Sequence, residues 1–205
     1  AALGASLLGQ SLSETDSSSL YRESEGVPLF VVELAKAGIR GDSVSRIGSG
    51  VGELEAGSSS SELPPRLKAI LERRLTRLSS SARTMIESAA VIGREFDFDL
   101  LRRVSELDEG VTVHSLDELW RLRMVRERSG WYDFSHDKLR EATLAGISPI
   151  RLRWLHQRVG EALESGTEYA RIADHFERAG LQKRALEYYS RAAEQAQQLF
   201  AFTEG

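Results

Sequence analysis

Val125-Arg126-Glu127-Arg128-Ser129-Gly130-Trp131-Tyr132-Asp133-Phe134 is the stretch where the chain changes period. Two extended runs of β-branched, aromatic and charged residues flank Ser129-Gly130. Glycine in that place can take the positive φ that a two-residue hairpin turn demands. Working back from it, the pattern is helical. Pro64-Pro65 suits a helix start, and Leu67, Ile70, Leu71, Leu75 and Leu78 recur at three and four. Ser79 or Ser80 is placed to accept hydrogen bonds from the orphan N–H groups of a second helix carrying Met85, Ile86, Ala89 and Ala90, which Gly93 ends. Asp97 caps a third helix with Leu100, Leu101 and Val104. A further helix is expected after His114-Ser115, with Leu116, Leu119 and Leu122 facing inward. Forward of the hairpin, a helix is expected over Asp137 to Ala145.

Helices followed by a small hairpin is the order of a winged-helix domain, a relative of the helix-turn-helix, assigned here to residues 63–147. Residues 148–205 read as helical. Ser148-Pro149 supplies an N-cap and first-turn pair, Leu152, Leu155, Val159, Ala162 and Leu163 share a stripe, and Glu164-Ser-Gly-Thr167 closes the helix. A helical hairpin follows: Tyr169, Ile172, Ala173 and Phe176, a turn at Ala179-Gly180, then Ala185, Tyr188, Tyr189, Ala192, Ala193 and Ala196. Its span is about the 34 residues of a tetratricopeptide unit, which cannot bury both faces alone, so further repeats are expected beyond Gly205. On the other side, residues 1–38 hold a short apolar face at Leu3, Leu7 and Leu8, a Gly26-Val27-Pro28 break and the apolar run Leu29–Ala35. Residues 39–62, dense in Gly and Ser, read as a linker or insertion. The fold class is therefore mainly α.

Composition narrows the function. The 205 residues are 41% hydrophobic and 28% charged, with a formal net charge of −4, which gives no general attraction for polyanions. With no cysteine, disulfides and thiolate metal sites are excluded, and the four histidines stand at no metal-ligand spacing. No apolar run reaches the roughly 20 residues of a membrane helix. AALGASLLGQ lacks a basic n-region and an initiator Met and starts inside a helical pattern, so the expectation is a cytoplasmic chain that continues a longer one.

Several stretches in order resemble one family. Gly26-Val27-Pro28-Leu29-Phe30-Val31-Val32-Glu33-Leu34 resembles the G-N-P-L-F-x-x-E-L stretch closing the helical lid of STAND-type AAA+ ATPases. These are nucleotide-switched bacterial signalling proteins that include large LuxR-type transcription regulators and cyclase- or kinase-fused relatives. Leu63–Leu67 with Arg73–Ser79 is similar to the segment after that lid. Ala89–Phe96 is similar to A-A-V-L-G-R-E-F, Phe134–Ala142 to F-x-H-x-x-x-R-E-A, and Arg153–His156 to R-x-x-L-H. The resemblance implies a lid remnant, a winged helix and the first of several sensor repeats. It also implies ATP or ADP with Mg²⁺ in the full-length protein, bound by an upstream domain of the same chain. This chain has no Gly-x-x-x-x-Gly-Lys-Ser/Thr loop, so it is expected to carry no catalytic residue and no cofactor of its own.

Five groups merit attention as sites. The resemblance implies that Pro28 lies against the adenine ring and that Gly26 lets the backbone approach; on the residues alone, Gly-x-Pro simply breaks two helices, and Val27 replaces the family's Asn. The resemblance to winged-helix NTPases implies that His136 touches the β-phosphate of ADP while Asp137 caps the next helix; the residues alone are equally met by a cap and a half-buried structural histidine. Arg121, Arg123, Arg126 and Arg128 suit DNA phosphates, but Asp117, Glu118 and Glu127 interleave, as on a solvated face. Asp97, Asp99, Asp108 and Glu109 lack a base partner or metal spacing. Tyr188 and Tyr189 could line a groove or fill a core. Together these favour a relay of nucleotide state between an ATPase core and helical repeats that receive an inducer or partner protein, in a transcriptional regulator. The alternatives are a DNA-binding winged-helix module and a TPR-like interaction scaffold. No membrane contact is expected, and DNA would be met through another domain.

Overall fold

The structure, a computed structural model, describes Val31 and residues 65–201. Gly26, Pro28 and the segments 1–38 and 39–62 thus lie, Val31 excepted, outside the described residues. The chain divides into two compact units, Ala1–Arg74 and Leu75–Gly205. In the first, helix α1 (Pro65–Leu75) starts on a proline, whose fixed φ suits the first turn, and ends on Arg73 and Arg74, whose charge complements the negative end of the helix.

The second unit contains α2 (Ser80–Ile92), β1 (Glu95–Phe96), α3 (Phe98–Ser105), α4 (Glu109–Arg121), β2 (Val125–Arg128), β3 (Trp131–Phe134), α5 (Asp137–Ala145), α6 (Pro149–Leu163), α7 (Tyr169–Arg178) and α8 (Gln182–Ala201). It is mainly helical, with one three-stranded antiparallel sheet in the order β1-β3-β2. The expected caps form. Ser79 Oγ accepts from Ala82 N at 3.2 Å, Asp97 Oδ1 from Leu100 N at 2.7 Å and Ser148 Oγ from Arg151 N at 3.4 Å. Ser79 also gives its hydroxyl to Glu118 Oε2 at 2.6 Å and its N–H to Glu118 Oε1 at 2.9 Å, which ties the start of α2 to α4.

Helix α2 is the hub. Ala82, Met85, Ile86, Ser88, Ala89, Ala90, Val91 and Ile92 are all buried, so it is apolar nearly all round rather than striped, and α3, α4, α5 and α6 pack on it. Small Ala82, Ala89 and Ala90 let these neighbours approach. Ser88, the polar residue in this set, gives its hydroxyl to Thr84 O at 2.9 Å and needs no outside partner.

The structure alters three expectations. Helix α4 begins at Glu109, not after His114-Ser115; His114 sits inside it, its ring Nδ1 2.8 Å from Gly110 O. Leu116 and Leu119 face inward as expected, but Leu122 is 40% exposed. The cause is that α4 stops there: Met124 N–H bonds to Leu119 O at 2.9 Å and Arg123 N–H to Trp120 O at 2.9 Å, a Schellman ending in which Arg123, at φ 53°, takes the left-handed place usually held by glycine. Met124 goes into the core in place of Leu122. Finally, Glu95-Phe96 forms a third strand, pairing Glu95 with Asp133 and Phe96 with Tyr132. Phe96 reaches Phe134 edge-on at a ring distance of 6.1 Å.

Beyond α5, α6 packs on α2, α3 and α7, and α7 packs on α8. The α7–α8 turn is a second Schellman motif: Leu181 N–H bonds to Phe176 O and Gly180 N–H to Glu177 O, both at 2.9 Å, with Gly180 at φ 81°. Ile172, Ala173, Phe176, Ala185 and Tyr188 form the core of this helical pair. The α6–α7 crossing is close because Gly160 has no side chain: a Cβ there would lie 2.7 Å from the buried Phe176 ring. Of the expected α8 face, Ala185 and Tyr188 are buried, while Tyr189, Ala193 and Ala196 are exposed.

Leu116→Ala should cost on the order of 2–5 kcal/mol in chemical denaturation, against under about 0.5 kcal/mol for Leu122→Ala; equal effects would place both leucines in the same environment. Gly160→Ala should lower the unfolding free energy through overpacking by about 1–3 kcal/mol in chemical denaturation, and the larger-to-smaller Phe176→Leu change made with it should recover part of the loss.

Candidate functional site

The turn from the hairpin into α5 carries the His136-Asp137 pair that the sequence singled out. Val125 pairs with Phe134, Arg126 with Asp133, Glu127 with Tyr132 and Arg128 with Trp131. Ser129 at φ 53° and Gly130 at φ 85° both take the positive φ of a type I′ turn. Ser135 N–H returns to Met124 O at 2.9 Å, which delivers His136 to the start of α5. Here one expected role is corrected. Asp137 is the first helical residue, and His136 holds the cap position; the His136 carbonyl accepts from Leu139 N at 3.0 Å. Asp137 still suits the positive end of the helix, and it pairs with Arg94 at 3.2 Å, both side chains being more than half exposed. Arg94 arrives there because Gly93, at φ 150°, turns the chain out of α2.

Arginines and carboxylates both surround this turn. On α5 itself Arg140 gives Nε–H to Ala90 O of α2 at 2.9 Å. Burial lowers its pKa and nearby Arg178 acts in the same direction, whereas Asp137 raises it. Asp137 also raises the pKa of Arg126, after the larger effect of Arg126's own hydrogen bonds to Asp133.

The four arginines weighed as a DNA contact or a solvated face are all exposed, and they differ in their partners. Arg126 is bound to Asp133 through both arms, at 2.7 and 2.9 Å, and Asp133 is 3% exposed. This fork holds β2 to β3 and satisfies a buried carboxylate. Arg121 pairs with Asp117 at 2.7 Å along α4. The Arg123 backbone ends α4 in the left-handed region, and its side chain is exposed. Arg128 is exposed, opposite the exposed Trp131.

The remaining candidates separate by role. Asp97 caps α3, Asp99 and Glu109 lie in the first turns of α3 and α4, and Asp108 stands at the α4 cap position. Among the described residues there is no group of three or more His, Cys, Asp or Glu able to hold a metal ion. Tyr188 is buried and donates to Glu164 at 2.7 Å, while the more exposed Tyr189 donates to Glu177 at 2.6 Å. Burial tends to raise the Glu164 pKa, but its bonds from Tyr188 and Arg184 outweigh that and hold it below the ordinary value.

Two features escape sequence reasoning. One is a set of arginine-to-carbonyl bonds between helices. Arg140 meets Ala90 O, Arg171 meets Ile92 O at 3.2 Å, Arg103 meets Ala162 O at 2.8 Å and Arg158 meets Arg103 O at 3.0 Å. The other is the meeting of His156 and His175, with Nδ1 atoms 3.0 Å apart in a buried site. Nineteen residues of separation hide that pair from any local spacing rule.

Comparison with family models, curated proteins and solved structures gives no match. Among the described residues no helix is long and apolar enough to cross a membrane.

Arg126→Ala should destabilise the chain by about 1–3 kcal/mol, because Asp133 is left buried without its fork, with the half-exposed arginine keeping the cost below that of a fully buried pair. Arg123→Gly should instead stabilise it by about 1 kcal/mol by relieving the left-handed strain. Thermal unfolding of the two variants checks both signs.

Proposed function

We propose that this chain is the regulatory, non-catalytic part of a cytoplasmic, nucleotide-switched signalling ATPase of the STAND type that controls transcription. In this reading the α2–β3 unit is a winged helix, His136 and the start of α5 meet the β-phosphate of ADP, and Gly26 and Pro28 border the adenine. ATP or ADP with Mg²⁺ is held by an upstream nucleotide-binding domain, and the α6–α8 helices begin a TPR-like array for an inducer or partner protein.

One observation carries the reading. His136 caps the nine-residue helix that carries Asp137 and Arg140, and Arg140 ends on a carbonyl in the last turn of the hub helix. The next carbonyl but one, that of Ile92, is bonded by Arg171 of α7. A ligand that pulls on the start of α5 therefore acts on the same helix end that α7 holds. Such a relay switches only if nucleotide and inducer make different contacts in two states.

Two other readings have narrower support. A protein-binding scaffold independent of nucleotide is favoured by Leu186, 68% exposed, and Tyr189, 40% exposed, on α8. A DNA-binding module is disfavoured by the ion pairs that occupy Arg121 and Arg126.

The test uses the polypeptide encoded by the whole reading frame around this chain. It should contain a phosphate-binding loop upstream and retain ADP on purification. His136→Leu should then weaken ADP retention by about tenfold or more, the loss of one charge-assisted hydrogen bond, and raise basal output. A reading frame without that loop, or an unchanged ADP affinity and output in the variant, overturns the proposal. Output that follows a partner protein but not nucleotide favours the scaffold. Sequence-specific DNA binding with a steep salt slope favours the DNA-binding module.

A further inference from the structure

We propose that the His156–His175 contact is a proton-operated latch on the α6–α7 seam: near neutral pH it clamps the α7–α8 hairpin to α6, and proton uptake by both rings releases that hairpin while α2 stays folded.

The geometry sets the logic. The two rings lie with Nδ1 atoms 3.0 Å apart and centroids 5.1 Å apart, and the residues are 6% and 5% exposed. One Nδ1 must donate and the other accept, which complementary neutral tautomers satisfy. A proton on each ring puts N–H against N–H, with two charges in a site that excludes water. The neighbours make this worse. The pair faces Arg140 from α5 and Arg171 and Arg178 from α7, set against Asp174. Other packed elements send their charges elsewhere: Glu87 of α2 is taken by Arg83 and Arg151, Arg103 of α3 by Ala162 O, and Arg184 of α8 by Glu161 and Glu164.

Burial, with Arg178 for His156 and the paired ring for His175, lowers both histidines to about 4. An opened seam restores them to the ordinary value near 6.5. The open form thus binds more protons between about pH 4 and 6.5. The latch is fully held above that window and weakens as the pH falls through it. Opening is local because α7 and α8 share their own core of Ile172, Ala173, Phe176, Ala185 and Tyr188.

Hydrogen exchange on the full chain, converted to opening equilibria, tests this. From pH 7 to pH 5 the opening constants of α7 amides should rise on the order of tenfold per histidine, while those of α2 change little. In the His156→Gln/His175→Gln double variant, whose amides can bond without titrating, the rise should vanish. An equal rise in α2 and α7, or a rise that persists in the double variant, overturns the latch. Should the double variant not fold, ring-proton titration of the wild type decides: both histidines titrating below about pH 5.5 supports the latch, and either titrating near its ordinary value of about 6.5 overturns it.

Discussion

Everything in the Leu75–Gly205 unit is arranged about one polar requirement, the satisfaction of the C-terminal carbonyls of α2. The last four carbonyls of a helix have no partner within it and carry the negative end of its dipole. In a surface helix water meets them. Helix α2 is buried along nearly its whole length, so the chain brings guanidinium groups instead: Arg140 from α5 to Ala90 and Arg171 from α7 to Ile92. These bonds are charge-assisted and geometrically demanding. They fix where two later helices dock, and they join the segment around the hairpin to the helical pair that follows.

The sheet is small, and side-chain chemistry rather than length gives it order. A two-residue turn sets the β2–β3 register, and the Arg126–Asp133 fork locks it across the strands. Phe96 of the outer strand and Phe134 of the central one are both buried and meet edge-on. The Schellman ending of α4 aims the chain into β2 and selects Met124 over Leu122 for the core. In the run of four arginines, Arg121 and Arg126 are ion-paired, Arg123 ends a helix, and all four remain exposed.

The proposed relay and the proposed latch use different parts of this arrangement. The relay runs from the start of α5 to the end of α2. The latch lies one turn further along α7, where His175 meets His156 of α6 within the reach of Arg171 and Arg140. Helix α7 is common to both: Arg171 on it grips α2, and His175 on it meets His156. Helix α7 also packs closely on α6 through Phe176 at Gly160, and it shares a separate core with α8 that neither polar contact contributes to.

Local chemistry was legible in the sequence by itself. Serine and aspartate caps at Ser79, Asp97 and Ser148, the Ser129-Gly130 turn, the helix over Asp137 to Ala145 and the Ala179-Gly180 break all depend on neighbours within a few residues, which spacing rules read directly. The fate of Leu122 was not legible, because the left-handed Arg123 that ends the helix is a residue type seldom found there. The short β1 strand escaped for a related reason: two residues have no periodicity, and Glu95-Phe96 is a strand only because β3 lies beside it. Tertiary structure alone decided which charges meet. Arg126 reaches Asp133, Arg140 and Arg171 reach the end of α2, and His156 reaches His175, because those partners are far apart along the chain and a guanidinium or imidazole shows nothing in sequence of the carbonyl or ring it will face. Burial is a property of the assembled layers, so the carboxylate, carbonyls and imidazoles that most need partners become recognisable only once those layers close over them.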